Sequence, residues 1–305
     1  MIWTGRYDGD DALHRRLFQV VNSDREISPG DFVLHGFAVD EGVRRNKGRT
    51  GAKAAPDVIR RNMANFPVVQ ADIVLKDFGN ISCENEDLES AQAHLGDAVA
   101  EVFLKGAKSL VFGGGHEVTF AHYSGLQKAF PGKKIGIINI DAHFDNRMPE
   151  ESVGPTSGTG FWQIAQEGKI HSLHIGIQRN SNTLKLFDTA HKFGMKYILA
   201  EELFFENLPF IYEQIDRISE EIDLLYLTVC MDVFNAAVAP GVSATAYNGI
   251  FADPVFMFWY RHILRNEKLI ALDVAEVNPD FDVAEKTARL AASLVNEWLM
   301  YSDKN

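Results

Sequence analysis

The six residues Ile135-Gly136-Ile137-Ile138-Asn139-Ile140 are apolar almost throughout, and a run of this length and composition reads as a strand buried in a parallel sheet. It runs directly into Asp141-Ala142-His143-Phe144-Asp145, where three ionisable side chains sit at spacing i, i+2, i+4. If the chain stays extended, these three point to one face and bring two carboxylates and an imidazole together. Two aspartates held that close repel unless one is protonated or a cation lies between them, and a divalent metal is the simplest resolution.

Other apolar runs repeat the theme at 32–37, 73–78, 109–112, 173–177, 224–231 and 269–275. Helical patterns lie between them, including 55–65, 88–105, 118–130, 207–222 and 283–300. Such alternation implies an α/β protein, a mainly parallel sheet with helices on both faces. Ligands of such sheets bind beyond the carboxyl ends of the strands. With 305 residues, no internal repeat and no Pro/Gly/Ser-rich linker, one domain spanning 1–305 is expected.

The unusual residues do fall at strand ends. Gly113-Gly114-Gly115-His116-Glu117 follows the third run, and its glycines permit close backbone approach while His116 opens a helix. Arg147 follows the aspartate cluster as a planar fork suited to a carboxylate, or as an ordinary surface arginine. The fifth run ends in Gln178-Arg179-Asn180-Ser181-Asn182, and the next in Cys230-Met231-Asp232. A carboxylate that closes a buried strand needs a partner, because desolvating the charge is costly. In Asp273-Val274-Ala275-Glu276, the reading for Asp273 is a structural ion pair, and Glu276 can face the pocket. Arg44, Arg45, Lys47 and Arg49 make the most cationic stretch in the chain; it faces an anionic substrate or lies as a solvated loop.

The net charge of −12 and the lack of a basic patch argue against nucleic acid. No apolar stretch approaches the roughly 20 residues of a membrane span. The start of the chain is polar and acidic without a signal-peptide core. Two cysteines, Cys83 and Cys230, do not make a disulfide framework and suit a reducing cytoplasm. A small molecule is the expected partner.

Taken in order, Gly113–Glu117, Asp141–Asp145, Thr228–Asp232 with Pro240-Gly241, and Asp273–Pro279 resemble the ureohydrolase (arginase/agmatinase) superfamily. Within it, Trp3-Thr4-Gly5-Arg6, the stretch 44–52, Arg147, Ser157-Gly158-Thr159-Gly160-Phe161 and Ala239–Ala244 look like the branch that acts in histidine degradation. That branch converts N-formimino-L-glutamate and water to L-glutamate and formamide. The resemblance implies a three-layer α/β/α fold with about eight strands, and two Mn²⁺ per subunit. The implied metal ligands are His116, Asp141, His143, Asp145, Cys230 and Asp232, with Asp141 as a bridge. A metal-bridging hydroxide would attack the formimino carbon, and Glu276 would pair with the cationic amidine. Arg147, Ser157, Thr159, Arg179 and Asn180 would line the substrate pocket, with Arg147 or Arg179 clamping a carboxylate where arginases bind an α-amino group. Superfamily members often form trimers or hexamers, so a homo-oligomer is allowed for.

Two positions depart from the family pattern. Cys230 replaces a carboxylate that normally bridges the metals, and Mn²⁺ prefers hard oxygen donors, so a weaker second site or another metal is expected. Phe161 replaces a histidine that arginases use for proton transfer, leaving Glu276 or water to supply the proton. Two other readings stay open: hydrolysis of another guanidino acid, and a non-catalytic relative that binds a metal or metabolite.

Overall fold

The computed structural model describes residues 2–70 and 72–301. Its elements run α1 (Leu17–Val20), β1 (Phe32–Ala38), α2 (Glu41–Arg45), α3 (Ala55–Met63), β2 (Leu75–Ser82), α4 (Leu88–Leu104), β3 (Lys108–Phe112), α5 (Val118–Ala129) and β4 (Ile135–Ile140). They continue through α6 (Gly160–Gln166), β5 (His171–Ile177), α7 (Leu184–Phe193), β6 (Lys196–Leu199), α8 (Leu208–Glu221), β7 (Leu224–Cys230), α9 (Pro254–Leu264), β8 (Leu269–Ala275) and α10 (Lys286–Tyr301). The strands form one eight-stranded sheet in the order β2-β1-β3-β8-β7-β4-β5-β6, parallel throughout.

Alternate side chains of each strand feed cores on opposite faces. Ile138 and Ile140 of β4 pack with residues of α3, α8, α9 and α10, whereas Ile135 and Ile137 pack with residues of α4, α5, α6 and α7. A strand covered on both faces favours apolar residues on both, which is why β4 reads as an apolar run broken only by Asn139, whose amide meets Asp141 and His174. The three-layer expectation holds. One strand escaped the sequence reading: β6 is four residues long at the sheet edge, and Lys196 at its start is exposed, so it carries little hydrophobic signal.

Asp273 is indeed structural. Its carboxylate is fully buried and accepts hydrogen bonds from His122 Nδ1 at 2.8 Å, Tyr226 Oη at 2.5 Å and Thr228 Oγ1 at 2.6 Å.

The order of strands matters most for function. The four signature motifs leave β3, β4, β7 and β8, and these are the four central neighbours β3-β8-β7-β4. Their carboxyl ends open side by side. Gly114 belongs to this crowding, since a Cβ there would lie 1.8 Å from the Val39 carbonyl oxygen beyond β1.

Candidate metal centre and cavity

His116, at the turn from β3 into α5, directs Nδ1 to Asp145 Oδ2 at 2.8 Å and to Asp141 Oδ2 at 3.1 Å. Its Nε2 meets Thr228 Oγ1 at 3.0 Å. Thr228 also lies 2.6 Å from Asp273, so the far side of the imidazole is held by a buried polar chain. On the other side of Asp141, His143 Nδ1 lies 3.6 Å from Asp141 Oδ1 and 3.2 Å from Asp232 Oδ2.

The 141–145 stretch is not extended, contrary to expectation. The chain leaves the sheet at Ile140, the His143 N–H donates to Asp141 Oδ1 at 2.8 Å, and Asp145 turns left-handed with φ 45°. A short side chain that accepts from the backbone two residues on curls the chain. The three groups therefore converge from a turn, with His143 facing Asp232 and Asp145 facing His116.

Ligating atoms of His116, Asp141 and Cys230 lie within 4.8 Å of one another, and so do those of Asp141, His143 and Asp232. Asp141 belongs to both groups. Asp232 Oδ1 and Glu276 Oε2 are buried without a hydrogen-bond partner, although each is a strong acceptor. Burial and then the neighbouring Asp141 push the Asp145 carboxyl up, and burial raises Asp232 as well. Burial would also raise Asp141, but His116 and His143 outweigh it and hold this carboxyl down. So many clustered acceptors call for a cation, and this set of carboxylates and imidazoles, with Asp141 common to both groups, could hold divalent metal. Cys230 is the exception in kind: burial, reinforced by Asp141, Asp232 and Glu276, keeps its thiol well above the usual range. It is a soft ligand that ionises only with a cation against it.

Glu276 follows β8 in a left-handed conformation, φ 66°, which a non-glycine residue adopts at a cost of about 1–3 kcal/mol. The His116 N–H donates to its Oε1 at 3.0 Å, fixing the carboxylate while Oε2 stays open. Burial, and then Asp232, raises its pKa well above the ordinary carboxyl value.

Above this floor lies a cavity of about 350 Å³, lined by His143, Asp145, Asp232 and Glu276 below and by Lys47, Arg49, Arg147, Ser157, Ser181 and Ser243 at the rim. Of the residues expected around substrate, Arg147 and Ser157 reach it. Arg179 does not: it is exposed and its guanidinium is drawn to Glu201 at 2.9 Å. Asn180 donates to Asn248 Oδ1 at 3.2 Å, outside the cavity lining. Thr159 is buried, with its hydroxyl spent on Thr156 O and Gln163 Oε1, both at 3.0 Å. Ser181, from the polar cluster that follows β5, and Ser243 also line the cavity; Ser243 carries no charge that would single it out in sequence. Phe161 is fully buried against His174, with ring centroids 4.5 Å apart, and offers no proton. A second cavity of about 460 Å³ opens at the amino ends of the strands, beside Phe32, Lys108 and Leu269, which begin β1, β3 and β8, away from these ligating groups.

The Arginase family profile matches residues 30–301. A formimidoylglutamase of Geobacillus sp. is 42% identical over 98% of this chain and 94% of its own length. One from Vibrio parahaemolyticus is 41% identical over 96% of this chain and 91% of its own. Among solved structures, formimidoylglutamase from Bacillus subtilis superposes with a TM-score of 0.88 at 22% identity, covering 97% of this chain and 94% of that one. Formiminoglutamase of Trypanosoma cruzi with Mn²⁺ gives 0.83 at 24% identity, over 94% and 98% of the two chains. These superpositions show the shared fold.

Proposed function

The chain belongs to the arginase family, and on that premise we propose that it hydrolyses N-formimino-L-glutamate to L-glutamate and formamide. The observation that carries this reading is the 42% identity to a formimidoylglutamase along nearly the whole chain. The polarity of the cavity supports it, with acids in the floor for a cationic amidine and cations at the rim for carboxylates. The same reading sets the enzyme in the cytoplasm, which suits two unpaired thiols.

His116, Asp141, Asp145 and Cys230 would hold one Mn²⁺, and Asp141, His143 and Asp232 the other. When bound, such a pair lowers the pKa of water, so that a nucleophile is available at neutral pH. The protein's own groups do the rest. Glu276 Oε2 receives the amidinium, in a dry floor where opposite charges attract strongly. Arg147 takes a substrate carboxylate through its planar fork, and Ser157 adds a hydroxyl beside it. As the formimino carbon is attacked, its bond to the glutamate nitrogen breaks and the departing amine gains a proton. With an aromatic ring at Phe161, that proton comes from Glu276 or from water in the cavity.

Incubation of Mn²⁺-loaded protein with N-formimino-L-glutamate, followed by proton NMR, is expected to show formamide and glutamate in equal amounts. Turnover of a guanidino acid to urea instead would overturn the substrate assignment. The two arginines are expected to separate: Arg147→Ala raises KM by about tenfold or more, and Arg179→Ala leaves kinetics within about twofold, because its partner is Glu201. Equal effects would contradict the geometry. Cys230→Asp is expected to raise Mn²⁺ affinity, as a hard oxygen replaces sulfur. A Mn²⁺ titration against a chelator checks this, and weaker binding would refute it.

A further inference from the structure

Helix α2 ends in a Schellman motif, with the Lys47 N–H donating to Arg44 O at 3.0 Å and the Gly48 N–H to Val43 O at 2.9 Å. The residue just past the helix in this motif is left-handed, and glycine is the favoured occupant. Here it is Lys47, with φ 61°. Non-glycine residues held in such backbone gather at functional sites.

The surrounding loop is fastened from several sides. Asp40 Oδ2 accepts from the Gly51 N–H at 2.7 Å, and Glu117 Oε1 from the Gly42 N–H at 2.8 Å. Ser243 Oγ accepts from the Arg49 N–H at 2.9 Å, and Asn278 Nδ2 donates to Arg49 O at 2.9 Å and Thr50 O at 3.0 Å. Two of these clamps, Glu117 and Asn278, lie one and two residues from His116 and Glu276, so the loop is keyed to the floor of the cavity.

The loop's cations are sorted by their partners. Arg44 and Arg45 pair with Glu41, Glu86 and Glu89. Arg49 donates to Val242 O and Ser243 O and lies over the Phe281 ring. Lys47 has no ion pair among the described residues; nor has Arg147. Both line the catalytic cavity and also an adjoining outer recess of about 360 Å³, so they stand together where the two meet. With Arg49 held on backbone carbonyls and Asp232 beside His143, the charged side chains around the cavity left, among the described residues, without a charged or hydrogen-bonding partner on their free end are Lys47 and Arg147 at the rim and Glu276, through Oε2, in the floor. A dicarboxylate that carries one amidinium is their complement.

We propose that Lys47 is a specificity-determining residue that binds one carboxylate of the substrate while Arg147 binds the other. This rests on the substrate reading above. A lysine past a helix end also complements the helix dipole, and the test separates that purely structural role.

Steady-state kinetics of the Mn²⁺-loaded enzyme would compare wild type with Lys47→Met, Lys47→Gly and Lys47→Arg. The substrates are N-formimino-L-glutamate and its two mono-acid analogues, N-formimino-4-aminobutyrate and N-formimino-L-2-aminobutyrate. Met and Gly are expected to raise KM for the dicarboxylate by about tenfold or more, with kcat within about threefold, and Arg to restore most of the loss. Lys47→Gly is expected to keep or raise Tm, because glycine relieves the left-handed backbone. For one analogue, the one that lacks the carboxylate Lys47 holds, the Lys47→Met effect should vanish. An active wild type whose KM is unmoved by Met and Gly, or an effect of equal size on all three substrates, overturns this inference alone. A wild type inactive on N-formimino-L-glutamate overturns the substrate reading and this inference with it.

Discussion

Asp141→Asn is expected to lower kcat/KM by about three orders of magnitude and to leave the protein short of metal after loading with Mn²⁺. Among the described residues Asp141 is the one shared by both candidate ligand groups, and its two oxygens meet different histidines. Oδ2 lies 3.1 Å from His116 Nδ1, and Oδ1 lies 3.6 Å from His143 Nδ1 and accepts the His143 N–H that curls the ligand turn. An amide keeps the shape but removes the charge and one acceptor, so each cation loses the anion it shares. Removing one partner of a buried, charged arrangement costs about 3–5 kcal/mol, and three orders of magnitude correspond to about 4 kcal/mol. Metal content by mass spectrometry and formamide release together check the prediction. A variant that binds two ions and turns over within tenfold of wild type would show that Asp141 is not shared.

Glu276→Gln is expected to reduce kcat/KM by about two orders of magnitude or more while making the metal-free protein more stable. Its Oε2 is buried, has no partner and faces the cavity, so the ionised group is costly until a cation arrives. An amide cannot neutralise an amidinium, and a desolvated charge pair is worth about 2–5 kcal/mol when one member is removed. The stability arm has a definite sign. The folded-state pKa of Glu276 is raised, so between the ordinary carboxyl pKa and that raised value the folded state binds more protons than the unfolded one. Stability of the metal-free wild type therefore falls as pH climbs through that window, and the variant should fall less. Thermal melts of both proteins from acid to neutral pH measure the difference. Parallel curves would mean that Glu276 is better solvated than its burial implies. Activity and stability thus pull in opposite directions at one residue, as expected where a site stores an unpaired charge for its ligand.

Much of the chemistry was legible from local pattern. Apolar runs that end in a charged residue identify strand ends, and in an α/β protein strand ends are where ligands sit. That logic found His116, Asp141, His143, Asp145, Asp232 and Glu276, the family resemblance added Cys230, and these side chains lie together. It was weaker where the residue type has two ordinary uses. Arg147 and Arg179 both follow strand ends, yet Glu201, contributed by the short 3₁₀ turn after β6, draws Arg179 away. No local pattern carries that information. The cationic stretch at 44–49 reads as one feature in sequence, but Glu86 and Glu89, some forty residues on, bind its first half and leave Lys47 to the cavity.

By itself, then, the sequence determined most of the strands and the charged residues that close them, though not the short edge strand β6, because periodicity and the cost of burying charge act over a few residues. Only the tertiary structure decided that the motifs leaving β3, β4, β7 and β8 become neighbours in the order β3-β8-β7-β4. It also decided how the 141–145 turn divides its ligands between His116 and Asp232. The reason is physical: strand order is set by which buried faces and backbone groups satisfy one another across the whole chain, and a run of isoleucines is equally at home beside any parallel neighbour.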